Sequence, residues 1–322
     1  MPSWRSMNRP PADTRERLRI AFGPKAPEFG SWNWIGADLC RELARDCDTL
    51  TFRDHVPECD VAVFIKFLPP AGILTELKQR ARIVFCPVDI YGSAAEIDAS
   101  ADVLRLCDCV VIHCERLRKY FAPYVRAEYI DHHLKFVCPL PEQQKTDGPL
   151  VWIGNRANLP PVVEWVNSRV FSGELWILTD LERAPSSPAE HRFHFSNRIR
   201  VENWTEKSHI QFASLARAAF DVKGDDFRAR HKPPAKALDW IASGVPLAMN
   251  VDSSSTQYIA SFGFNVCGLE DTDRWLSREY WDATQRCAQV LQKEMSLRSI
   301  AHKWRNLIEQ LCHRTSLDLV NR

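Results

Sequence analysis

Five basic side chains, Lys223, Arg228, Arg230, Lys232 and Lys236, crowd one short stretch of the chain. The run HKPPAKALDWIASGVPLAMN, residues 231–250, reads as a helix with lysine at its start, closed by Gly244 and followed by a buried strand. Lys232 and Lys236, four apart, are expected to share one helix face near its N-terminus. There the unpaired backbone N–H groups and the ammonium groups point the same way. Cations at that end oppose the helix dipole, a local cost that a bound anion offsets. The plain alternative is a solvated surface loop.

Other residues suited to chemistry fall at the ends of apolar runs. Gly154, Asn155 and Arg156 follow LVWI, where glycine lets the backbone approach a phosphate and arginine adds a charge-assisted bond. Asp89, in CPVDIYG, is the first candidate for a carboxylate facing a cleft, and His113 the second. His132 and His133 end the run YIDHHLKF, and an imidazole can move a proton near neutral pH. Gly30, Ser31 and Trp32, in EFGSWNW, suit a phosphate or acceptor loop, with Trp32 or Trp34 as an aromatic platform. Two Asp-x-Asp triplets, Asp46 with Asp48 and Asp271 with Asp273, fall near helix ends and read as solvated. Cys107, Cys109, Cys114 and His113 cluster without a second cysteine pair to close a four-ligand site, so no metal is expected. The sequence contains no GxSxG, Walker A or HExxH motif.

These residues need elements to hold them. Apolar runs at 18–23, 48–52, 60–65, 82–86, 109–113 and 127–130 predict strands, and helical spacing between them predicts helices. Ser31 is expected to cap the first helix, and Ser93 with Glu96 to form a capping box on a helix reaching 106. PLPEQQKTDGP, residues 139–149, breaks the alternation with proline and glycine. It then restarts, with strands at 150–154, 174–178, 198–201, 219–223 and 245–250 and a proline- and serine-rich loop, RAPSSPAEH, at 183–191. Two βαβ series predict an α/β chain of two Rossmann-like parallel-sheet domains facing across a cleft. The expected boundaries are a flexible leader 1–16, a first domain 17–138, a linker 139–149, a second domain 150–296 and a C-terminal helix 297–322. Leu297, Ile300, Trp304, Leu307, Ile308 and Leu311 form one apolar face of that helix, expected to pack on the body rather than on a membrane surface.

Bulk properties narrow the partners. A length of 322 residues suits two domains, and a net charge of +1 gives no global field for nucleic acid or anionic membrane. Apolar runs fall far short of a membrane span, which leaves only peripheral membrane contact, and the N-terminus lacks the apolar region of a secretory signal. Eleven cysteines in a chain of this size read as reduced thiols, and the expected location is cytoplasmic.

The segment DWIASGVP, with Asp239 five residues ahead of Gly244, resembles the donor-binding helix of GT-B glycosyltransferases, especially the retaining family-four type. VWIGNRANLPPVVEWVN is similar to the opening strand and helix of a GT-B donor domain. The resemblance implies transfer of a sugar from a nucleotide-sugar, used as co-substrate without a cofactor, to a hydroxyl of a glycan, lipid carrier, protein or modified nucleic acid. It implies a C-terminal helix crossing back to the first domain and a leaving phosphate that helps deprotonate the acceptor. A nucleoside diphosphate suits the basic cluster, because fixed cations stabilise the charge that builds on the leaving group. Asp239 is then expected on the ribose. Family-four members often carry two glutamates eight apart here, and this chain has His231 and Asp239 at those places. The rivals are a nucleotide-sugar epimerase of the same fold and a binding protein without chemistry.

Overall fold

The computed structural model describes residues 17–169, 173–181 and 198–320, so the expected leader and the RAPSSPAEH loop lie outside the described residues. The first sheet contains β1 (Arg19–Gly23), β2 (Asp48–Thr51), β3 (Val61–Ile65), β4 (Arg82–Cys86), β5 (Cys109–Ile112) and β6 (Ala127–Tyr129). They run in the order β2-β1-β3-β4-β5-β6, and every pairing is parallel. The second sheet contains β7 (Leu150–Ile153), β8 (Glu174–Thr179), β9 (Arg198–Asn203), β10 (Ala218–Asp221) and β11 (Leu247–Met249), in the parallel order β11-β10-β7-β8-β9. β3 is buried at every position, as a strand covered by helices on both faces must be. In each sheet the strand order reverses beside the first strand. The loops after β1 and β3, and those after β7 and β10, therefore open a crevice at the carboxyl ends.

Three helices depart from the sequence expectation. The helix after β1 begins as a π-helical segment, Trp32–Asp38, before the α-helix Leu39–Leu43. Ser31 does not cap it. Its backbone is already helical, and its buried hydroxyl has no partner. The helix opened by Ser93 has the expected cap, with Glu96 reaching back to the Gly92 N–H. It breaks at Ser100, whose hydroxyl bonds back to the Glu96 carbonyl at 3.0 Å. The basic stretch is not one helix either. A short turn of helix, Phe227–Arg230, stops before Lys232, and the longer helix Ala235–Ala242 starts after Pro234. Proline has no N–H to donate and fits only at such a start.

The C-terminal helix Leu297–Val320 returns to the first domain. Trp304, Ile308 and Leu311 are buried in a core cluster that also holds Leu39 and Leu43. Arg305 pairs with Asp46 at 3.0 Å, and Arg126 donates to Gln310 at 3.0 Å. Its apolar face is thus covered by protein. No helix among the described residues is long and apolar enough to cross a membrane.

Residues 131–138, between β6 and β7, are tied to both sheets' helices. Asp38 accepts from Lys135 Nζ at 2.6 Å, His133 Nε2 at 3.2 Å and Arg41 at 2.5 Å. Those partners hold its carboxyl down at about 2 although burial alone would raise it. Trp34 donates to the His133 carbonyl at 2.9 Å. From the other side, Asp239 accepts the Lys135 N–H at 3.0 Å, Ser243 accepts the Cys138 N–H at 3.0 Å, and the Met295 carbonyl accepts the Leu134 N–H at 2.9 Å.

Candidate functional site

The turn after β7 gathers the densest positive charge. Lys236 Nζ donates to the Ile153 carbonyl at 2.9 Å and lies 5.6 Å from the Trp152 ring centre. Lys232 Nζ donates to Asn158 Oδ1 at 2.6 Å. Lys223, just past β10, pairs with the buried Asp221 at 2.6 Å. Burial and the neighbouring ammonium groups push Lys236 down to about 8 and Lys232 below its usual range. Three ammonium groups thus gather around Asp221, with Asp226 also acting on Lys232 and Asp89 facing them from the first domain. A side chain on Gly154 would sit 2.5 Å from the Trp152 ring and 3.1 Å from Lys236 Nζ, so only glycine fits this turn. Asn155 is exposed beside it. Arg156 is 4% exposed, and neither Nε nor Nη2 has a partner. A cation in that state is costly unless an anion completes it.

Several expected residues stand elsewhere. Lys232 and Lys236 do not share a helix face, because Lys232 precedes the helix, yet both side chains converge on the 153–158 turn. Arg230 is drawn away by ion pairs with Asp225 and Asp252. Arg228 reaches across the cleft and donates to the Ile90 carbonyl at 3.0 Å. Asp239 is 2% exposed and turned toward the linker, and burial, outweighing the linker N–H groups that favour its charged form, pushes its carboxyl up to about 7. A carboxylate so enclosed is not open to a ribose. Trp32 is no platform, since it is 6% exposed and packed over Gly36, with Ser31 buried beside it and Gly30 left at the surface. His133 serves the linker through Asp38.

On the first-domain side, Asp89, His113, His231 and Pro233 line a narrow cavity between the two sheets. His113 Nδ1 bonds the Ile130 carbonyl, and its buried Nε2 has no partner. Desolvation holds that ring down at about 4, so it is neutral and presents a bare lone pair. The His132 ring packs against it edge-on at 4.3 Å. His231 bonds the Phe227 carbonyl at 2.7 Å and stacks on the Phe227 ring. Sequence reasoning missed Lys66, which ends β3 beside Asp89. Its signal is conformational: Lys66 has φ 65° and Asp89 φ 56°, the two non-glycine residues with positive φ among those described.

The two domains also meet around this cavity. Arg116 donates to Gln257 at 2.9 Å and to the Asp252 carbonyl at 2.5 Å, and Tyr120 packs edge-on against Phe227 and His231. The buried Asp131 accepts from Tyr129 at 2.5 Å, and Tyr258 of the second domain bonds it as well. The arrangement sets the basic turn on one wall and the exposed Asp89 carboxylate on the other, with the His113 ring buried behind it.

No family model matches the chain, and no curated protein does. Solved structures do match in fold. A glycosyltransferase involved in avilamycin A biosynthesis is 11% identical, with a TM-score of 0.62 over 92% of this chain and 98% of its own. The sucrose-phosphate synthase from Thermosynechococcus elongatus is 14% identical, with a TM-score of 0.67 over 92% and 99%. A trehalose-6-phosphate structure from E. coli, bound with UDP-2-fluoro glucose, is 11% identical, with a TM-score of 0.58 over 87% and 78%. The chain has the GT-B fold, two parallel α/β sheets with a returning C-terminal helix.

Proposed function

We propose that the protein is a glycosyltransferase taking its sugar from a nucleotide-sugar. The observation that carries this reading is the gathering of Lys223, Lys232 and Lys236 at the switch point of the second sheet, two of them held below their usual range by burial, with Arg156 only partly partnered in the same turn. A diphosphate is the ligand that such a cluster lacks. It sits in a GT-B fold, and one structure of that fold is bound with a UDP-sugar. In this reading Lys232 and Lys236 hold the diphosphate against the Gly154 turn, with Asn155 at its edge. Arg228 tethers the second domain to the first, and Asp239 positions the linker under the nucleotide.

Transfer proceeds with retention and without a metal. The bond between the anomeric carbon and the phosphate oxygen breaks, its electron pair goes to the phosphate, and an acceptor hydroxyl attacks from the same face. The acceptor proton passes to the leaving phosphate, and the lysines stabilise the charge that develops there. Asp89 orients the acceptor hydroxyl, and the bare Nε2 of His113, buried in a cavity with room for a single water, accepts a hydrogen bond from that water. The acceptor enters from the side of the 28–34 loop, past Gly30.

The test is a thermal-shift and hydrolysis screen against UDP-, GDP-, ADP- and dTDP-sugars in the presence of EDTA. The expected result is stabilisation by one donor with slow release of its nucleoside diphosphate. Stabilisation without release, even when acceptor sugars are supplied, turns the reading toward a binding protein, and no stabilisation by any nucleotide ends it.

A further inference from the structure

Resting on the transferase reading, we propose that Lys66 is a positioning residue for Asp89, and that the two act as one acceptor-side unit. Left-handed backbone is disfavoured for any residue with a branched or long side chain and is visited cheaply only by Gly, Asn or Asp. Here it occurs at the ends of adjacent strands β3 and β4, on the rim of the cleft, and nowhere else among the described non-glycine residues. At Lys66 the conformation is costly, and such strain persists where surrounding contacts over-determine it and collects at functional sites.

Each bend is closed by a local bond, Phe67 N–H to the Ile65 carbonyl at 2.8 Å around Lys66 and Val88 N–H to the Cys86 carbonyl at 2.9 Å just before Asp89, and Lys66 joins the two. Its backbone N–H donates to the Cys86 carbonyl at 3.0 Å, continuing the β3–β4 ladder past its end. Its Nζ donates to the Val88 carbonyl at 2.6 Å. One residue therefore holds the 86–88 turn at both of its ends, directly before Asp89. The Lys66 ammonium also lies 5.1 Å from the Phe29 ring centre, which fixes the stem of the side chain. Asp89 follows directly on Val88 and stands exposed over the cavity lined by His113 and His231. An asparagine at 66 would adopt the same backbone more easily but could not reach Val88 as an ammonium does. The lysine therefore serves the Asp89 turn rather than the local fold.

The experiment compares the full chain with Lys66→Asn, Lys66→Arg, Asp89→Asn and the Lys66→Asn/Asp89→Asn double variant. Crystal structures of the wild type and Lys66→Asn locate the Asp89 carboxylate. Release of nucleoside diphosphate is followed with whichever of UDP-glucose, GDP-mannose, ADP-glucose and dTDP-glucose stabilises the wild type. Lys66→Asn is expected to displace the carboxylate by about 1 Å or more, a shift that costs turnover steeply. It should slow release roughly 10- to 100-fold with donor affinity and melting temperature kept. Lys66→Arg should recover part of the loss, and the double variant should be no slower than Asp89→Asn. An unmoved Asp89, wild-type turnover in Lys66→Asn, or single losses that multiply in the double variant would each overturn the proposal. If the wild type neither binds nor cleaves any of the four donors, the transferase reading fails, and the crystallographic comparison alone decides the role of Lys66.

Discussion

Two buried polar clusters draw on the Ala235–Ala242 helix, one through Lys236 and the other through Asp239, and they are finished to different degrees. Around the linker both carboxylates are met, Asp38 by Lys135, His133 and Arg41 and Asp239 by backbone N–H groups, with His133 Nδ1 left unpartnered. Around the β7 turn, Lys223, Lys232 and Lys236 crowd about Asp221, burial holds Lys232 and Lys236 below their usual range, and Arg156 keeps two nitrogens unpartnered. A satisfied buried network fixes one arrangement of the chain, whereas an unsatisfied one raises the free energy of the empty protein and lowers that of a complex. The linker cluster is therefore read as structure and the turn as a binding site, although both are built from the same residue types.

The contrast breaks most visibly on mutation. Lys232→Ala should lower turnover by about 100- to 1,000-fold, the usual cost of losing a group that meets developing charge. Its melting temperature should stay within a few degrees of wild type, as differential scanning calorimetry would report. Asp38→Ala should do the reverse. It strands Lys135 and His133 and should cost roughly 3 kcal/mol in a denaturant titration, while the correctly folded fraction still binds donor.

Two pH profiles sharpen the same division. Lys236 titrates at about 8 in the empty site and must be charged to hold a diphosphate. Donor affinity, measured by calorimetry, should therefore fall about tenfold or more as pH rises from 7.5 to 9.5, and a flat profile removes Lys236 from the site. The smaller effect concerns the linker. Asp239 is raised to about 7, so the folded state holds a proton that the unfolded chain has lost. Its contribution is fully present below the unfolded value near 4 and declines as pH rises toward 7. Asp38 has the opposite sign: its contribution is present above that unfolded value and is lost as pH falls toward 2. Asp239→Asn should make stability flatter between pH 4 and 7, and an unchanged slope contradicts the burial account.

The central strands were legible because each is a short apolar run with turn residues near its end, while the edge strands β2, β6 and β9 are mixed in composition. The basic stretch was legible as chemistry because so many cations rarely gather without a counter-ion. What escaped depends on neighbours distant in sequence. Trp32 has the composition of a sugar platform, but its ring is taken by Gly36 and the core behind β1. Asp239 has the spacing of a donor ligand, and only the path of the linker shows that its carboxylate is occupied. His132 and His133 are adjacent in sequence yet serve the cleft wall and the linker respectively. Lys66 carried no signal at all, since a lysine after an apolar strand is ordinary until its backbone angle is known.

The most direct test of the central claim is the melting temperature of Lys232→Met, with and without the nucleotide-sugar that stabilises the wild type. Burial is the largest influence on the Lys232 ammonium and disfavours its charge, so an apolar chain of similar length should leave the empty protein no worse off. The account predicts a melting temperature at or above that of the wild type without ligand, and little or no rise when the donor is added. A lower melting temperature together with an intact donor-induced rise would mean that Lys232 stabilises the fold and that the nucleotide binds elsewhere.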